Sequence, residues 1–211
     1  MVEEERVEEP WYKGPIKYIL MIFLLILIVV WIFAPYIVKV DPEPRYIPTI
    51  DEVVISNLTI EPVNHTINSR QDFSRFIDPN DPEIKDVAVR IAFSACNSEK
   101  VCQAKAIYYF VRDNFNYVSD PNLEYIESPK EVLMTGGSDC DGLAVLLATL
   151  ELAIGVDARL VFIPNHVYVE LKLDNGPGKY RKWFPVDAAC KGCEFGEVAN
   201  LNQNKEYLVL S

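Results

Sequence analysis

The apolar and polar positions along this chain follow three different rhythms. From Tyr18 to Val38 there is no rhythm at all: 21 uncharged, mostly apolar residues run unbroken between Lys17 and Lys39. As a helix that run would be about 32 Å long, close to the ~30 Å hydrocarbon core of a bilayer. A signal-peptide core is shorter and would be followed by a small-residue cleavage site, which is missing here. The run therefore reads as an uncleaved transmembrane anchor over 17–39, preceded by a short acidic tail over 1–16. A helical rhythm begins near Asp81. Asp81-Pro82-Glu83 combines a capping carboxylate with Pro at the first helical position and predicts a helix to about Ala95. Ala104, Ile107, Tyr108, Val111 and Phe115 recur at three and four residues, predicting a second helix from about Ser98. Ser128-Pro129 opens a short third helix. A fourth begins at Cys140, with Leu143, Leu146, Leu147, Leu150 and Ile154 on its buried face, and closes at Gly155. Beyond it the rhythm shortens to that of strands: Ala158–Ile163, Val167–Leu173, Lys179–Val186 and Tyr207–Leu210, with Asn175-Gly176 as a turn. Helices first and an antiparallel sheet after them is an α+β pattern.

Between anchor and helices, residues 40–80 are rich in Pro steps such as Asp41-Pro42, Glu43-Pro44 and Asp78-Pro79. Each Pro pushes its predecessor towards extended backbone, so this stretch is expected to be a tether. Val53–Ile55 and Leu58–Ile60 are candidates for a strand within it. The folded domain is then 81–211. The net charge of −11, from 20 Lys+Arg and 31 Asp+Glu, argues against nucleic acid as a partner.

Basic residues are slightly commoner before the anchor (Arg6, Lys13, Lys17) than after it (Lys39, Arg45). The bias favours a single-pass protein of the cell membrane with its N-terminus inside and the long domain outside. Asn57-Leu58-Thr59 and Asn64-His65-Thr66 are glycan acceptors only on that side. Of the five cysteines, setting Cys140 apart leaves Cys96, Cys102, Cys190 and Cys193. An even number outside a cell suggests two disulfides. Local pairing of Cys96 with Cys102 and Cys190 with Cys193 is favoured, because each pair brackets a loop. A four-cysteine zinc site and a redox motif at Cys190-Lys191-Gly192-Cys193 are the alternatives, the first with poor spacing and the second without its strand-helix setting.

The chemistry concentrates in Cys140, His166 and Asp187. Only two histidines exist, and the other, His65, falls in the expected tether. A thiol at a helix start meets the positive end of the helix dipole and unpaired N–H groups, which favour thiolate and can hold an oxyanion. If the second and third strands pair through the Asn175-Gly176 turn, His166 and Asp187 arrive at one edge of the sheet. Asp187 can then accept from one ring nitrogen and leave the other for Cys140. Glu151 and Glu170 are expected to be solvated, and Trp183-Phe184 to serve the core. No phosphate loop or His-rich cluster is present, so no cofactor and no metal is expected.

The stretch from about Cys102 to Ala189 resembles the transglutaminase-like superfamily in its microbial core form. The resemblance rests on Gly137-Ser138-Asp139-Cys140-Asp141-Gly142-Leu143-Ala144, the Leu-rich helix ending at Gly155-Val156, the Ala158-Arg159-Leu160-Val161 strand, His166 ahead of an alternating strand, and Trp183-Phe184-Pro185-Val186-Asp187. It implies a papain-like α+β core of helices packed on an antiparallel sheet. It also implies Cys140 as nucleophile, His166 as base and Asp187 as orienting acid. The implied activity is acyl transfer from peptide or protein amides to amines, or to water as in proteases and amidases. Many members carry an acidic residue where this chain has Gly142; Asp139 and Asp141 are the nearest substitutes. Both acids would oppose thiolate formation and shift the burden of activation to His166. Tyr117 and Gln103 are candidate oxyanion donors. The competing readings are a binding domain that keeps the fold without catalysis, and a thiol-disulfide protein using Cys190 and Cys193.

Overall fold

The structure, a computed structural model, describes residues 14–37, 42–54, 58–60, 62, 65, 67–119, 125–174, 178–199 and 204–210. The acceptors Asn57 and Asn64, the acidic tail over 1–13 and the Asn175-Gly176 turn lie outside the described residues. Two compact units are distinguished, residues 1–40 and 41–211.

The first unit holds α1 (Ile16–Ile37), a 22-residue helix about 33 Å long. Its large apolar side chains from Tyr18 to Ile32 are all exposed. Among the residues whose side chains are described, no helix is long and apolar enough to cross a membrane; in α1 those residues end at Ile32.

In the second unit, α2 (Ile50–Val53) and a 3-10 helix (Arg70–Phe76) come first. Four α-helices follow: α3 (Pro82–Ala95), α4 (Lys100–Asn114), the short α5 (Pro129–Thr135) and α6 (Cys140–Ala153). A short parallel pair, β1 (Asn116–Tyr117) with β2 (Gly137–Ser138), flanks α5. The main sheet contains β3 (Asp157–Ile163), β4 (His166–Lys172), β5 (Phe184–Val186) and β6 (Glu206–Val209), in the order β5-β4-β3-β6 and antiparallel throughout. The expected α+β architecture is thus observed.

The helix starts obey their local chemistry. Asp81 Oδ1 accepts from the N–H groups of Glu83 and Ile84 at 2.9 and 3.2 Å. Ser128 and Glu131 close a reciprocal capping box, and Gly136 ends α5 at φ 73°, a left-handed position suited to glycine. α6 is buried almost all round, from Leu143 through Leu150, and packs on α3, α4, β3 and β4. A helix surrounded in this way shows no one-sided apolar stripe.

Three expectations need correction. The stretch read as a tether contributes Val53, Leu58, Phe73 and Phe76 to the same core as α3, α4 and α6. Its Pro residues shape it without preventing it from burying large side chains. Val53 ends a helical turn rather than starting a strand, because Thr49 and Glu52 form a capping box around that turn. The third strand is only Phe184–Val186; a 3-10 turn occupies Gly178–Tyr180 before it. Both disulfides are local, as favoured: Cys96–Cys102 and Cys190–Cys193. Cys140 is the one free cysteine.

Candidate active site

Cys140 is the first residue of α6. It is delivered there by β2, which pairs with β1 so that Tyr117 lies opposite Ser138. His166 is delivered by a two-residue turn between β3 and β4. Ile163 pairs directly with His166, and Asn165 takes the left-handed φ of 60° that the turn requires and that Asn tolerates. Asp187 follows β5, whose Val186 pairs with Val169 of β4. The hairpin argument therefore holds in outcome: His166 Nε2 lies 2.8 Å from Asp187 Oδ2.

Asp187 is 1 % exposed. Its other oxygen accepts from the Ala189 N–H at 3.2 Å, and its backbone carbonyl accepts from Tyr108 Oη at 3.4 Å and from the Cys190 N–H at 3.2 Å. The carboxylate is thus fixed on both sides. Because a carboxylate can only accept, Nε2 is assigned the proton, which leaves the Nδ1 lone pair for a second partner. The hydrogen bond that His166 donates to Asp187 raises the His166 pKa above its ordinary value against the opposing effect of burial.

His166 and Cys140 line one cavity of about 550 Å³, together with Tyr117, Asp139, Asp141 and Arg70. All three expected site residues are therefore brought together, the acid through its bond to the base. The state of the thiol differs from a simple helix-dipole argument. Burial first, then the neighbouring Asp141 charge, pushes the Cys140 pKa up to about 12, and a backbone N–H from Val167 offsets this in part. The thiol donates to Asp141 Oδ1 at 3.3 Å. The helix N–H groups are also not all available. Asp139 Oδ1 accepts from those of Asp141 and Gly142 at 2.9 and 3.2 Å. The Cys140 N–H is not used by that cap.

Of the two candidate oxyanion donors, Tyr117 lies at the site. Burial and the contact of its hydroxyl with Cys140 and the adjacent acids raise its pKa. Gln103 is engaged elsewhere, its Nε2 donating to the Asn97 carbonyl at 3.0 Å.

Glu127 is the residue that sequence reading missed. Its Oε2 accepts from Ser138 Oγ at 2.8 Å. A Cβ placed on Gly142 would stand 2.0 Å from Ser138 Oγ and 2.9 Å from Glu127 Oε2. A carboxylate therefore does reach the space above Gly142, but from a residue fifteen positions upstream. The Ser138–Glu127 pair and Gly142 are a matched set, which only the tertiary structure reveals. Asp139, Cys140 and Asp141 place three ligand-type atoms within 4.8 Å of one another. Both carboxylates already serve protein groups, the helix cap and the thiol, so the cluster is accounted for without an ion.

Glu151 and Glu170, expected in solvent, are both buried. Glu170 is paired: Arg159 Nε donates to it at 2.9 Å and Lys205 Nζ lies 3.7 Å away. Neither Glu151 oxygen has a hydrogen-bond partner, and burial raises its pKa well above the ordinary value, which favours the neutral carboxyl.

No curated protein matches the sequence. Among solved structures, LapG of Legionella pneumophila in its calcium-bound form is 19 % identical over 64 % of this chain and 78 % of its own, with a TM-score of 0.43. A candidate cysteine protease of Cytophaga hutchinsonii is 18 % identical over 70 % of this chain and 60 % of its own, with a TM-score of 0.41. A candidate protease of Parabacteroides distasonis is 14 % identical over 56 % of this chain, at a TM-score of 0.43, and this chain spans only 25 % of its length. Residues 86–188, which carry Cys140, His166 and Asp187, match the model of the transglutaminase-like superfamily.

Proposed function

We propose that this protein is a membrane-anchored, cysteine-dependent acyl-transfer enzyme acting on peptide or protein amides outside the cell. The observation that carries the reading is the buried His166–Asp187 pair at 2.8 Å, sharing a cavity with the one free cysteine at a helix start.

The chemistry follows from the states of the groups. Cys140 Sγ attacks the amide carbonyl while its proton passes to His166 Nδ1. The Cys140 N–H and the Tyr117 hydroxyl receive the oxyanion. His166 returns the proton to the leaving amine, and a thioester remains on Cys140. Water or an acceptor amine, deprotonated by His166, then releases the acyl group. Which acceptor reaches the thioester decides between hydrolysis and cross-linking.

The placement outside the cell is supported by two disulfides among the remaining four cysteines, which persist in oxidising compartments. The anchor is supported by a helix whose apolar side chains from Tyr18 to Ile32 are exposed on every face, a pattern that water disfavours and lipid accepts. The basic flanks favour the N-terminus inside.

The test is the detergent-solubilised full chain incubated with casein and a fluorescent primary amine. Wild type is expected to cut casein or to couple the amine to it, and Cys140→Ala to do neither. Turnover retained in Cys140→Ala would refute the thioester route. An inert wild type that binds casein intact would instead favour the transglutaminase-like binding domain.

A further inference from the structure

Asp187 hangs from the end of β5, a three-residue strand at the edge of the sheet. Pairing with β4 fixes the backbone only up to Val186. Beyond it the chain makes two turns in succession. The Cys190 N–H donates to the Asp187 carbonyl at 3.2 Å, and the Cys193 N–H to the Cys190 carbonyl at 3.1 Å. The Cys190–Cys193 disulfide staples the second turn. The first holds the carboxylate itself, since Asp187 Oδ1 accepts from the Ala189 N–H at 3.2 Å. Where this loop sits therefore decides how Asp187 presents its other oxygen to His166.

The loop is fastened to α4. Tyr108 of that helix is fully buried, and its hydroxyl donates to the Cys193 carbonyl at 2.9 Å and, more weakly, to the Asp187 carbonyl at 3.4 Å. One O–H proton is thus shared between the two ends of the loop. Arg112, one turn further along, donates through Nη1 to the same Cys193 carbonyl at 2.8 Å. Lys191 Nζ reaches the carbonyls of Arg112 and Phe115 at the end of the helix. The Tyr108 ring packs edge-on against Phe195, their centroids 5.6 Å apart. A phenyl ring would make the same apolar contact; the hydroxyl adds the tie between the ends of the loop. We infer that Tyr108 is a positioning residue: through its hydroxyl, α4 sets the stapled loop 187–193 and so the angle at which Asp187 meets His166. The inference deepens the thioester reading given above and rests on it for any effect on turnover. Its effect on His166 does not depend on turnover.

The test is Tyr108→Phe in the detergent-solubilised full chain, with isotope-labelled histidine rings followed by NMR against pH. Each loop carbonyl keeps a donor in the variant, Arg112 for Cys193 and the Cys190 N–H for Asp187, so folding is expected to survive. The groups facing His166 are Asp187 and, around the cavity, Asp139, Cys140, Asp141, Tyr117 and Arg70, with the Tyr168 ring centred 6.4 Å away on β4. Of these only Asp187 belongs to the loop. The expected result is a His166 titration midpoint below that of wild type, in the direction of Asp187→Asn. Turnover of casein is expected to show kcat reduced roughly two- to tenfold with KM little changed. Tyr109→Phe removes a neighbouring hydroxyl whose bond goes to Glu194, beyond the loop, and should leave the midpoint in place. The His65 signal, from a ring stacked on Tyr125, serves as the reference. A wild-type midpoint in Tyr108→Phe, or an equal change in Tyr109→Phe, would overturn the inference. If Tyr108→Phe does not fold, Cys190→Ser with Cys193→Ser removes the staple from the same loop: a lowered midpoint supports the inference and an unchanged one overturns it. A lowered midpoint in Tyr108→Phe together with an inert wild type would sink the thioester reading and leave the positioning of Asp187 standing.

Discussion

The two sides of the cavity lined by Cys140 and His166 use carboxylates to opposite ends. On the sheet side, Asp187 accepts from His166 at 2.8 Å and raises its basicity. On the helix side, Asp141 stands beside Cys140 and accepts a hydrogen bond from its thiol, and burial together with this acid pushes the thiol pKa up to about 12. One acid makes a better base; the other makes a poorer thiolate. The difference teaches that a cysteine at a helix start is not ionised by position alone. The dipole is worth about 0.3–1 kcal/mol at exposed sites. That is less than one pKa unit, and burial with a neighbouring carboxylate outweighs it. A site built this way favours a neutral thiol at rest, and in the proposed reaction its proton leaves only as attack proceeds.

The largest break comes from removing Cys140, the proposed nucleophile. Cys140→Ala is expected to abolish turnover while far-ultraviolet circular dichroism and melting temperature stay close to wild type, since a buried thiol is replaced by a smaller apolar group. Unchanged turnover would remove Cys140 from the chemistry. His166→Ala is expected to cost ~10²–10⁴-fold in kcat/KM, the usual range for a positioned general base.

Asp187→Asn is expected to cost less, and it sharpens the comparison through pH. His166 must be neutral to act as base, so activity rises as it loses its proton. Asp187 raises the His166 pKa and thereby moves that acidic limb upward from the ordinary histidine value. Replacing the carboxylate should move the limb to lower pH. A limb that stays in place in Asp187→Asn would break the link between this acid and this base.

Gly142→Ala tests the packing behind the nucleophile. Helix propensity favours alanine by about 1 kcal/mol. Against that, the new Cβ would meet the buried Ser138 hydroxyl at 2.0 Å. Overpacking of this kind costs about 1–3 kcal/mol, so net destabilisation in urea is expected. Stability equal to or above wild type would show that the Ser138–Glu127 pair yields freely.

An effect on stability alone concerns Glu151, a buried carboxyl without a hydrogen-bond partner on the same helix as Cys140. Its folded-state pKa is raised, so folding retains a proton that the unfolded chain releases above its ordinary carboxyl pKa. Stability from this group is full below that value and declines as pH rises towards the folded pKa, by at most about 1.4 kcal/mol per unit. Glu151→Leu should therefore stabilise more at pH 8 than at pH 5. An equal gain at both values would mean that the carboxyl does not titrate with unfolding.

Much of the site was legible in the chain, because its parts are local. Cys140 announces itself by the Gly136-Gly137 entry and the Leu-rich helix behind it. The β4–β5 pairing follows from alternation around a turn. The two disulfides follow from short loops. What was illegible depends on contacts between distant residues. The 40–80 segment looked extended from its prolines, yet Phe73 and Phe76 find a place in the core. Glu151 looked like a solvated residue, since nothing in its own spacing says that α6 is buried on every side. Glu127 gave no signal, because its partner Ser138 belongs to another element. Gln103 and Tyr117 were equal candidates in sequence, and only the pairing of β1 with β2 separates them.

The most direct test of the neutral-thiol account is the rate of iodoacetamide alkylation between pH 5 and 9, read by intact mass without reductant on wild type, His166→Ala and Asp141→Asn. The account predicts a single label. Its rate should still climb roughly tenfold per pH unit at pH 9, change little in His166→Ala and rise in Asp141→Asn. A rate that levels off below pH 7 in wild type and collapses in His166→Ala would contradict it, and would establish a preformed thiolate–imidazolium pair in place of proton transfer during attack.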